Sequence, residues 1–433
     1  MLPSLFAGII TGEIILNHYD LLLTLRSTAE LFATLLSTPW ILKTLAFAVM
    51  VGSVMVLINR SGGVDGFIHT VQTRLALVKS KRSALLLVYL VGIVIFIESS
   101  ITSLIAGSIG RPLSDTYAFS RAKLAYVCDS TSAPVCSIIL FNGWGALLLG
   151  LIAAEITAET IDGEAVSWLL QAVVYNFYAF VALAVTFVVI WFGIDIGPMR
   201  RSIPVRVPVE KKYSGNMWFM AVPIIVMVGS VFFFLWLSGD GNMLKGSGST
   251  SIFYSLIVTL LAALVLYRMF DVMSVKEWAL HSIAGARSML GIAAILLFAF
   301  AIGSVTQQLQ TGQYIASYAH YFLSPAYLGA AVFIAASIMA FATGTSWGTF
   351  SIMMPIAVPL AAGVDANAAV VMGAVISGGV FGDHCSPISD TTIISSMAAG
   401  CDHIEHVKTQ LPYALFSGIV ALCLFVLAGF LTN

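Results

Sequence analysis

The sequence has little charge. Only 9% of its 433 residues are Asp, Glu, Lys or Arg, whereas 59% are hydrophobic; a globular domain carries about 25% charged residues. Too few charges are present to clothe a soluble domain, and the composition is that of a polytopic membrane protein. There is no basic block, and the net charge is -1, which argues against a nucleic-acid partner. Cysteine is scarce too. The odd count and the spacing of Cys128, Cys136, Cys385, Cys401 and Cys423 make no disulfide framework, so they are read as small apolar residues. No P-loop occurs, so nothing points to ATP-driven transport. The start, "MLPSLFAGII", lacks a basic n-region and an A-x-A-like cleavage site, and is expected to remain as a first helix.

What is abundant is apolar sequence. Runs at 41–58, 168–192, 217–237, 251–267, 289–306 and 411–431 each approach the roughly 20 residues a helix needs to span hydrocarbon. They fall into two copies of one pattern. "LAFAVMVGSVMVLINRSGG" near residue 45 parallels "LLFAFAIGSVTQQLQTG" near 296, aligning Gly52-Ser53-Val54 with Gly303-Ser304-Val305. "FIESSITSLIAGSIGRPL" (96–113) parallels "FATGTSWGTFSIMMPIAVPL" (341–360), and "CDSTSAPVCS" (128–137) parallels "GDHCSPISD" (382–390). Three matches in one order at a near-constant offset imply an internal duplication.

Charge orients the copies. Arg60, Arg74, Lys79, Lys81 and Arg82 follow the second helix, and Arg200, Arg201, Arg206, Lys211 and Lys212 fill the central loop. The positive-inside rule places both loops in the cytoplasm. The counterpart of the first loop, "QQLQTGQYIASYAHYFLSP", has no Lys or Arg, so the copies are expected to be inverted. The expected fold is an all-α polytopic membrane protein of two inverted-topology repeats, each with a re-entrant helical hairpin and a discontinuous transmembrane helix. Residues 1–158 form the first repeat (hairpin 84–113, broken helix 115–158). Residues 159–250 hold two linking transmembrane helices. Residues 251–410 form the second repeat (hairpin 326–362, broken helix 366–400), and 411–433 a final transmembrane helix. About nine crossings follow, with the N-terminus cytoplasmic and the C-terminus outside. Segments 19–38 and 274–287 read as interfacial helices.

Pro134 and Pro387 cannot donate the amide hydrogen bond that would carry a helix past Ser130 and Asp383. Gly382 before the break, Ser386 as N-cap and Pro387 at the first helical position suit a helix that stops and restarts. Freed carbonyls, the Asp129 and Asp383 carboxylates and nearby hydroxyls would make an oxygen-rich pocket for a hard monovalent cation. An ionised group inside the bilayer costs at least about 2.5 to 3.5 kcal/mol, which marks Asp129, Asp383 and Asp390 as functional. Asp129 and Asp383 are the expected Na⁺ ligands, with Ser130, Asp390, Ser389 and Thr391 completing the shell. The hairpin tips would add Ser99, Ser100, Thr102 and Ser103 from one copy and Thr343, Gly344, Thr345 and Ser346 from the other. His384 suits either a proton carrier or a cross-helix hydrogen bond. Glu98, with Thr343 in the matching place, is a further proton or cation ligand. Glu155 is expected to snorkel to water.

"GDHCSPISDTTIISS" with "DHIEHVKTQLPYA" (402–414), and "RPLSDTYAFSRAKLAYVCDSTSAPV" (111–135), resemble the signatures of the NhaC-type sodium/proton antiporter family of the ion transporter superfamily. The resemblance covers nearly the whole chain. It implies paired re-entrant hairpins, an inner-membrane location, a homodimer, and Na⁺ and H⁺ as the transported ions with no cofactor. Members of the wider family also exchange organic acids or amino acids, so the second functional expectation is Na⁺- or H⁺-coupled exchange or symport of a small carboxylate or amino acid. A third, an intramembrane metal-dependent hydrolase, would use Cys401, Asp402, His403, His406 and His384. Their spacing is not H-E-x-x-H, and the "DHIEHVKTQ" segment is expected to be a solvated cytoplasmic one.

The charge pattern makes one prediction directly. Alkaline phosphatase fused behind Asn433 is expected to be active, and fused within 205–214 inactive. The reverse pattern would overturn the inside N-terminus.

Overall fold

The computed structural model describes residues 2–74, 78–96, 98–204, 215–243, 246–310, 314 and 324–432. Among these the regular structure is helical, with no strand. Arg206, Lys211, Lys212 and Lys245, and most of the uncharged 308–323 loop, lie outside the described residues. The first half comprises α1 (Leu2–Leu16), α2 (Leu21–Ser37), α3 (Pro39–Arg60), α4 (Gly63–Arg74), the hairpin α5 (Lys81–Val94) and α6 (Ser99–Tyr117), then α7 (Arg121–Ser130), α8 (Ala133–Ile138) and α9 (Gly143–Thr157). The link is α10 (Ala165–Val174), α11 (Phe177–Phe192), a short turn of 3-10 helix at Gly197–Arg201, and α12 (Trp218–Ser238). The second half comprises α13 (Gly248–Met269), α14 (Val275–Ser288), α15 (Leu290–Gln308), the hairpin α16 (Pro325–Thr343) and α17 (Ser346–Gly363), then α18 (Ala368–Cys385), α19 (Asp390–Ala399) and α20 (His403–Thr432).

Each half therefore runs through an amphipathic helix, a long apolar helix, a hairpin and an interrupted helix, in that order. Two cavities lie along the seam between the halves. The first, about 190 Å³, touches Ala48 and Val51 of α3, Trp144 of α9, Met289 just ahead of α15, and Trp347 of α17. The second, about 200 Å³, touches Ile41, Glu155, Phe300 and Pro355 of the same four helices. Passing from the first cavity to the second follows α3 backwards along the chain but α15 forwards. The equivalent helices are antiparallel, which is the relation inverted repeats require.

Nine stretches among the described residues are long and apolar enough to cross a bilayer. Their membership differs from the expected set. The 15 residues of α1 fall short, and both arms of the second hairpin qualify. The linking run 168–192 is not one helix: it breaks at Tyr175–Asn176, between α10 and α11. The final helix starts at His403 rather than near 411, because Pro412 sits inside it without ending it.

The restart after the second break is also displaced. Gly382 is not at the break but inside α18, where a Cβ would meet the Ser337 carbonyl oxygen at 2.1 Å, so it serves helix contact. The chain then bends over Ser386–Ser389. Ser386 closes α18, its amide donating to the Asp383 carbonyl at 3.0 Å, and that carbonyl is not free as expected. Ser389, not Ser386, is the N-cap of the next helix, with Asp390 as its first residue. At the first break Pro134 does sit in the first turn of the resumed helix α8.

The amphipathic helices differ in their attachment. α2 leaves Leu21, Leu22 and Leu25 exposed, as a membrane-surface helix does. α14 opens on a capping box, in which the Ser274 N–H and hydroxyl hold the Glu277 carboxyl below the usual carboxylate range. It also crosses α3 at backbone contact: a Cβ on Gly52 would lie 2.3 Å from the Gly285 carbonyl oxygen, and a Cβ on Gly285 2.2 Å from that of Gly52. The Ser53 hydroxyl seals the crossing by donating to the Ser282 carbonyl at 2.7 Å. Gly285→Ala is therefore expected to cost about 1 to 3 kcal/mol by forced overpacking. Gly229→Ala, where a Cβ meets nothing within 4 Å, is the control that should not fall with it in thermal unfolding of detergent-solubilised protein.

Candidate functional site

The interruption between α18 and α19 and the tip of the α5–α6 hairpin together place three carboxylates around the first cavity. Asp383, in the last turn of α18, is buried, and its Oδ2 accepts a 2.8 Å hydrogen bond from the Ser346 hydroxyl at the start of α17. Its Oδ1 is buried with no hydrogen-bond partner. Asp390, the first residue of α19, and Glu98, at the tip of the α5–α6 hairpin, line the same space, with Ser99, Thr345 and Thr391. None of the described lining residues is basic. Asp383 is buried, Glu98 half-buried and Asp390 exposed, so negative charge gathers around one desolvated carboxylate, an arrangement that favours a cation or a proton there. The helix ends agree. Asp383 lies at the carbonyl end of α18, where the dipole favours a positive ion, and Asp390 at the amide end of α19, where it favours the carboxylate.

The hairpin tips hold this cavity from both halves. The Ser99 hydroxyl donates to the Glu98 carboxylate at 3.3 Å, and the Thr102 hydroxyl pins the tip by bonding the Ile95 and Glu98 carbonyls. Across the seam Gly344 takes φ +65° to turn the α16–α17 hairpin, and its Cβ would lie 2.8 Å from Ile388 in the interruption. A side chain there would be strained and would push the tip off the break. Trp144 and Trp347, edge to face at 6.1 Å, form the apolar wall.

Asp129 stands apart from this cavity. It is fully buried, and both its oxygens already have partners. Gln410 Nε2 donates to Oδ2 at 2.6 Å, the Thr392 hydroxyl to Oδ2 and the Ser395 hydroxyl to Oδ1 at 3.3 Å each, and His406 Nε2 lies 3.3 Å from Oδ2. His384, next in the chain to Asp383, belongs to the Asp129 side. Its Nδ1 is 2.6 Å from the Tyr178 hydroxyl, and its Nε2 is 3.4 Å from the Ser130 hydroxyl and 3.8 Å from Asp129 Oδ2. A neutral ring protonated on Nε2 suits both sides, accepting from Tyr178 and pointing its proton at Asp129. Gln410 also bonds the His384 carbonyl at 2.7 Å.

The expected single pocket is thus two adjoining regions. Asp383, Asp390, Thr391, Glu98, Ser99 and Thr345 border the open cavity, and Ser346 supports it. Asp129, Ser130 and His384 belong to the closed network, which Ser103 joins through a 2.9 Å contact with Ser395. Ser389 caps α19 and contacts the Thr391 hydroxyl at 3.0 Å. Thr343 is exposed and bonds its own helix at the Met339 carbonyl, and Ser100 is half-buried on α6. His406 is not solvated as expected but wholly buried, and His403 is held by the Pro387 carbonyl and Ser396. Among the described residues no group of three or more His, Cys, Asp or Glu could hold a metal ion. Sequence reasoning missed Gln410 and Tyr178, and named His406 only as a candidate metal ligand in a solvated segment. Carrying the helical period backwards through Pro412 would have put His406, Gln410 and Tyr413 on one face.

A family model described as "Na+/H+ antiporter family" matches residues 135–430. A Haemophilus influenzae protein known only as an uncharacterised protein is 32% identical over 99% of this chain and 87% of its own length. A Bacillus subtilis malate-2H⁺/Na⁺-lactate antiporter is 34% identical over 110 residues, which is 25% of this chain and 24% of that one. The solved structure of Neisseria gonorrhoeae MtrF superposes with a TM-score of 0.61 at 17% identity, covering 94% of this chain and 84% of that one. That likeness is one of fold.

The two regions should respond differently to loss of a charge. Asp129→Asn sets an amide against four donors and is expected to lose about 1 to 3 kcal/mol of stability. Asp383→Asn removes a charge from a cavity wall whose second oxygen has no donor, and should unfold at or above the wild-type temperature. Equal losses in a thermal shift assay would mean the regions are one network.

Proposed function

The chain belongs to the Na⁺/H⁺ antiporter family, and from that premise we propose that it exchanges Na⁺ for H⁺ across the cytoplasmic membrane by alternating access. It is a multi-pass membrane protein and a secondary antiporter, not an enzyme, by its family. The observation that carries the finer reading is that Asp383, one of whose buried oxygens has no hydrogen-bond partner, lines a cavity together with Asp390 and Glu98. In this reading Na⁺ binds at Asp383, with Asp390 and Glu98 adding negative charge to the same cavity and the hydroxyls of Ser99, Thr345 and Thr391 available to replace water. Asp129 is not a Na⁺ ligand here, because its oxygens are already occupied; it fixes α7, α19 and α20 around the site. The N-terminus is cytoplasmic, the C-terminus outside, and the protein a homodimer.

Exchange then needs no separate proton path. Protons and Na⁺ neutralise the same carboxylates, and each excludes the other. If the site changes sides only when one of them fills it, the two gradients are coupled. His384, Tyr178 and Asp129 form a buried polar chain beside the cavity that orients α18.

One observation favours a second reading, sodium-coupled exchange of a small carboxylate or amino acid. The cavity holds about 190 Å³, room for roughly six waters at about 30 Å³ each, more than a bare Na⁺ fills. Two tryptophans wall it, and the Bacillus subtilis relative is by name a malate and lactate exchanger.

In proteoliposomes carrying a pH-sensitive dye, Na⁺ alone should dissipate an imposed pH gradient. Lowering the pH should raise the half-saturating Na⁺ concentration by up to about tenfold per unit, as competition with one proton requires. Asp383→Asn should abolish the flux. Wild-type flux in that variant would remove Asp383 from the mechanism. A wild-type protein silent to Na⁺ until an organic acid is added would establish the second reading instead.

A further inference from the structure

The second cavity contains a carboxylate for which the exchange site has no use. Glu155, in the last turn of α9, is 6% exposed, buried rather than snorkelling to water as its sequence position suggests. It faces a space of about 200 Å³ that Trp40, Phe300, Ser304 and Pro355 also line. None of the described lining residues is basic.

We propose that this cavity is a capture chamber for a hydrated monovalent cation, with Glu155 as its counter-charge, on the path between one membrane face and the Asp383 cavity. Three observations carry the proposal. The two cavities are bordered by the same helices, α3, α9 and α17, and by α15 or the residue ahead of it. On α9 they are separated by the seven residues from Trp144 to Leu151, about 10 Å of helix rise. Leu147 and Leu148 of α9, Leu296 of α15, and Phe350 and Met354 of α17, which fall in sequence between the two sets of lining residues, are buried in one apolar cluster, and the two cavities are separate in this conformation. Their chemistry differs in the way two successive stations require. The Asp383 cavity offers three carboxylates and several hydroxyls, a set that can replace an ion's water. The Glu155 cavity offers one carboxylate among mostly apolar and aromatic walls, with room for roughly six waters. Such walls cannot strip a cation, but a low-dielectric cleft of one sign concentrates cations before the dehydrating step. The C-terminal end of α9, where Glu155 lies, points outward in the proposed orientation.

The inference rests on the exchange reading, and the experiment separates the two. Ala154, on the wall beside Glu155, is replaced by cysteine in the full chain in proteoliposomes. Its reaction with positively and negatively charged methanethiosulfonates is followed against the native protein, which supplies the background from its five cysteines. A preference of at least about tenfold for the cationic reagent, applied from one side only and abolished by adding Glu155→Gln, is expected from focusing by the carboxylate. Equal rates, or a preference that survives Glu155→Gln, would overturn the proposal. Na⁺-driven proton flux is measured in parallel. Glu155→Gln should raise the half-saturating Na⁺ on that same face by about tenfold and on the other face by less than about twofold. An equal rise on both faces, or none, would also overturn it. If the wild type shows no Na⁺-driven flux but keeps the charge preference, the exchange reading fails and the cation chamber stands.

Discussion

Inside a bilayer no water is at hand to satisfy a carboxylate, so each one must find donors within the protein, bind a cation, or take up a proton. Asp129 and Asp383 meet this demand in opposite ways. Asp129 is given donors from α19 and α20 until nothing more fits. Asp383 is given one donor on one oxygen and nothing on the other. The first arrangement fixes helices in place, and the second leaves a vacancy of definite charge. The two aspartates therefore differ in kind: one ties three helices together by hydrogen bonds, and the other keeps an oxygen without a partner.

Bringing the parts together requires backbones to approach closely, and small residues permit it. Gly52 and Gly285 do this where α14 crosses α3, and Gly107 does it where the first hairpin meets α19 at Ala398. Arg111 then uses its guanidinium to bond the Met397 and Ala398 carbonyls, capping α19 from the other half of the chain. Helix α19, ten residues long, is thus held by Asp129 near its middle, by Arg111 at its end and by Ser389 at its start. Its first residue, Asp390, is presented to the cavity by a helix that cannot shift freely.

Much of this was legible in the sequence because the determinants are local or repeated. The duplication, the paired hairpins and the position of Asp383 and Asp390 on either side of a helix interruption follow from motif order and from proline. The register of the second break was not legible, because Ser386 and Ser389 are both good N-caps and only the tertiary contact of Ser386 with the Phe341 carbonyl decides between them. The places of His406 and Gln410 beside Asp129 were hidden for another reason: Pro412 reads as a helix boundary, yet the helix runs through it. Glu155 was misjudged because nearness to a loop in sequence says nothing about which neighbours cover it.

The break in the linking helix has a consequence for the symmetry of the whole. At its centre the buried Asn176 gives its amide nitrogen to the Ser137 hydroxyl at 2.8 Å and takes the Ser377 hydroxyl on its oxygen at 3.0 Å. One side chain, contributed by neither copy, therefore joins the interrupted helices of both. An amide has no twofold axis: one end gives and the other receives. Two stretches that began as duplicates are thus handed unlike partners at the point where they meet. From there outward they differ: around Asp129 both carboxylate oxygens are hydrogen-bonded, and around Asp383 one oxygen is left without a partner.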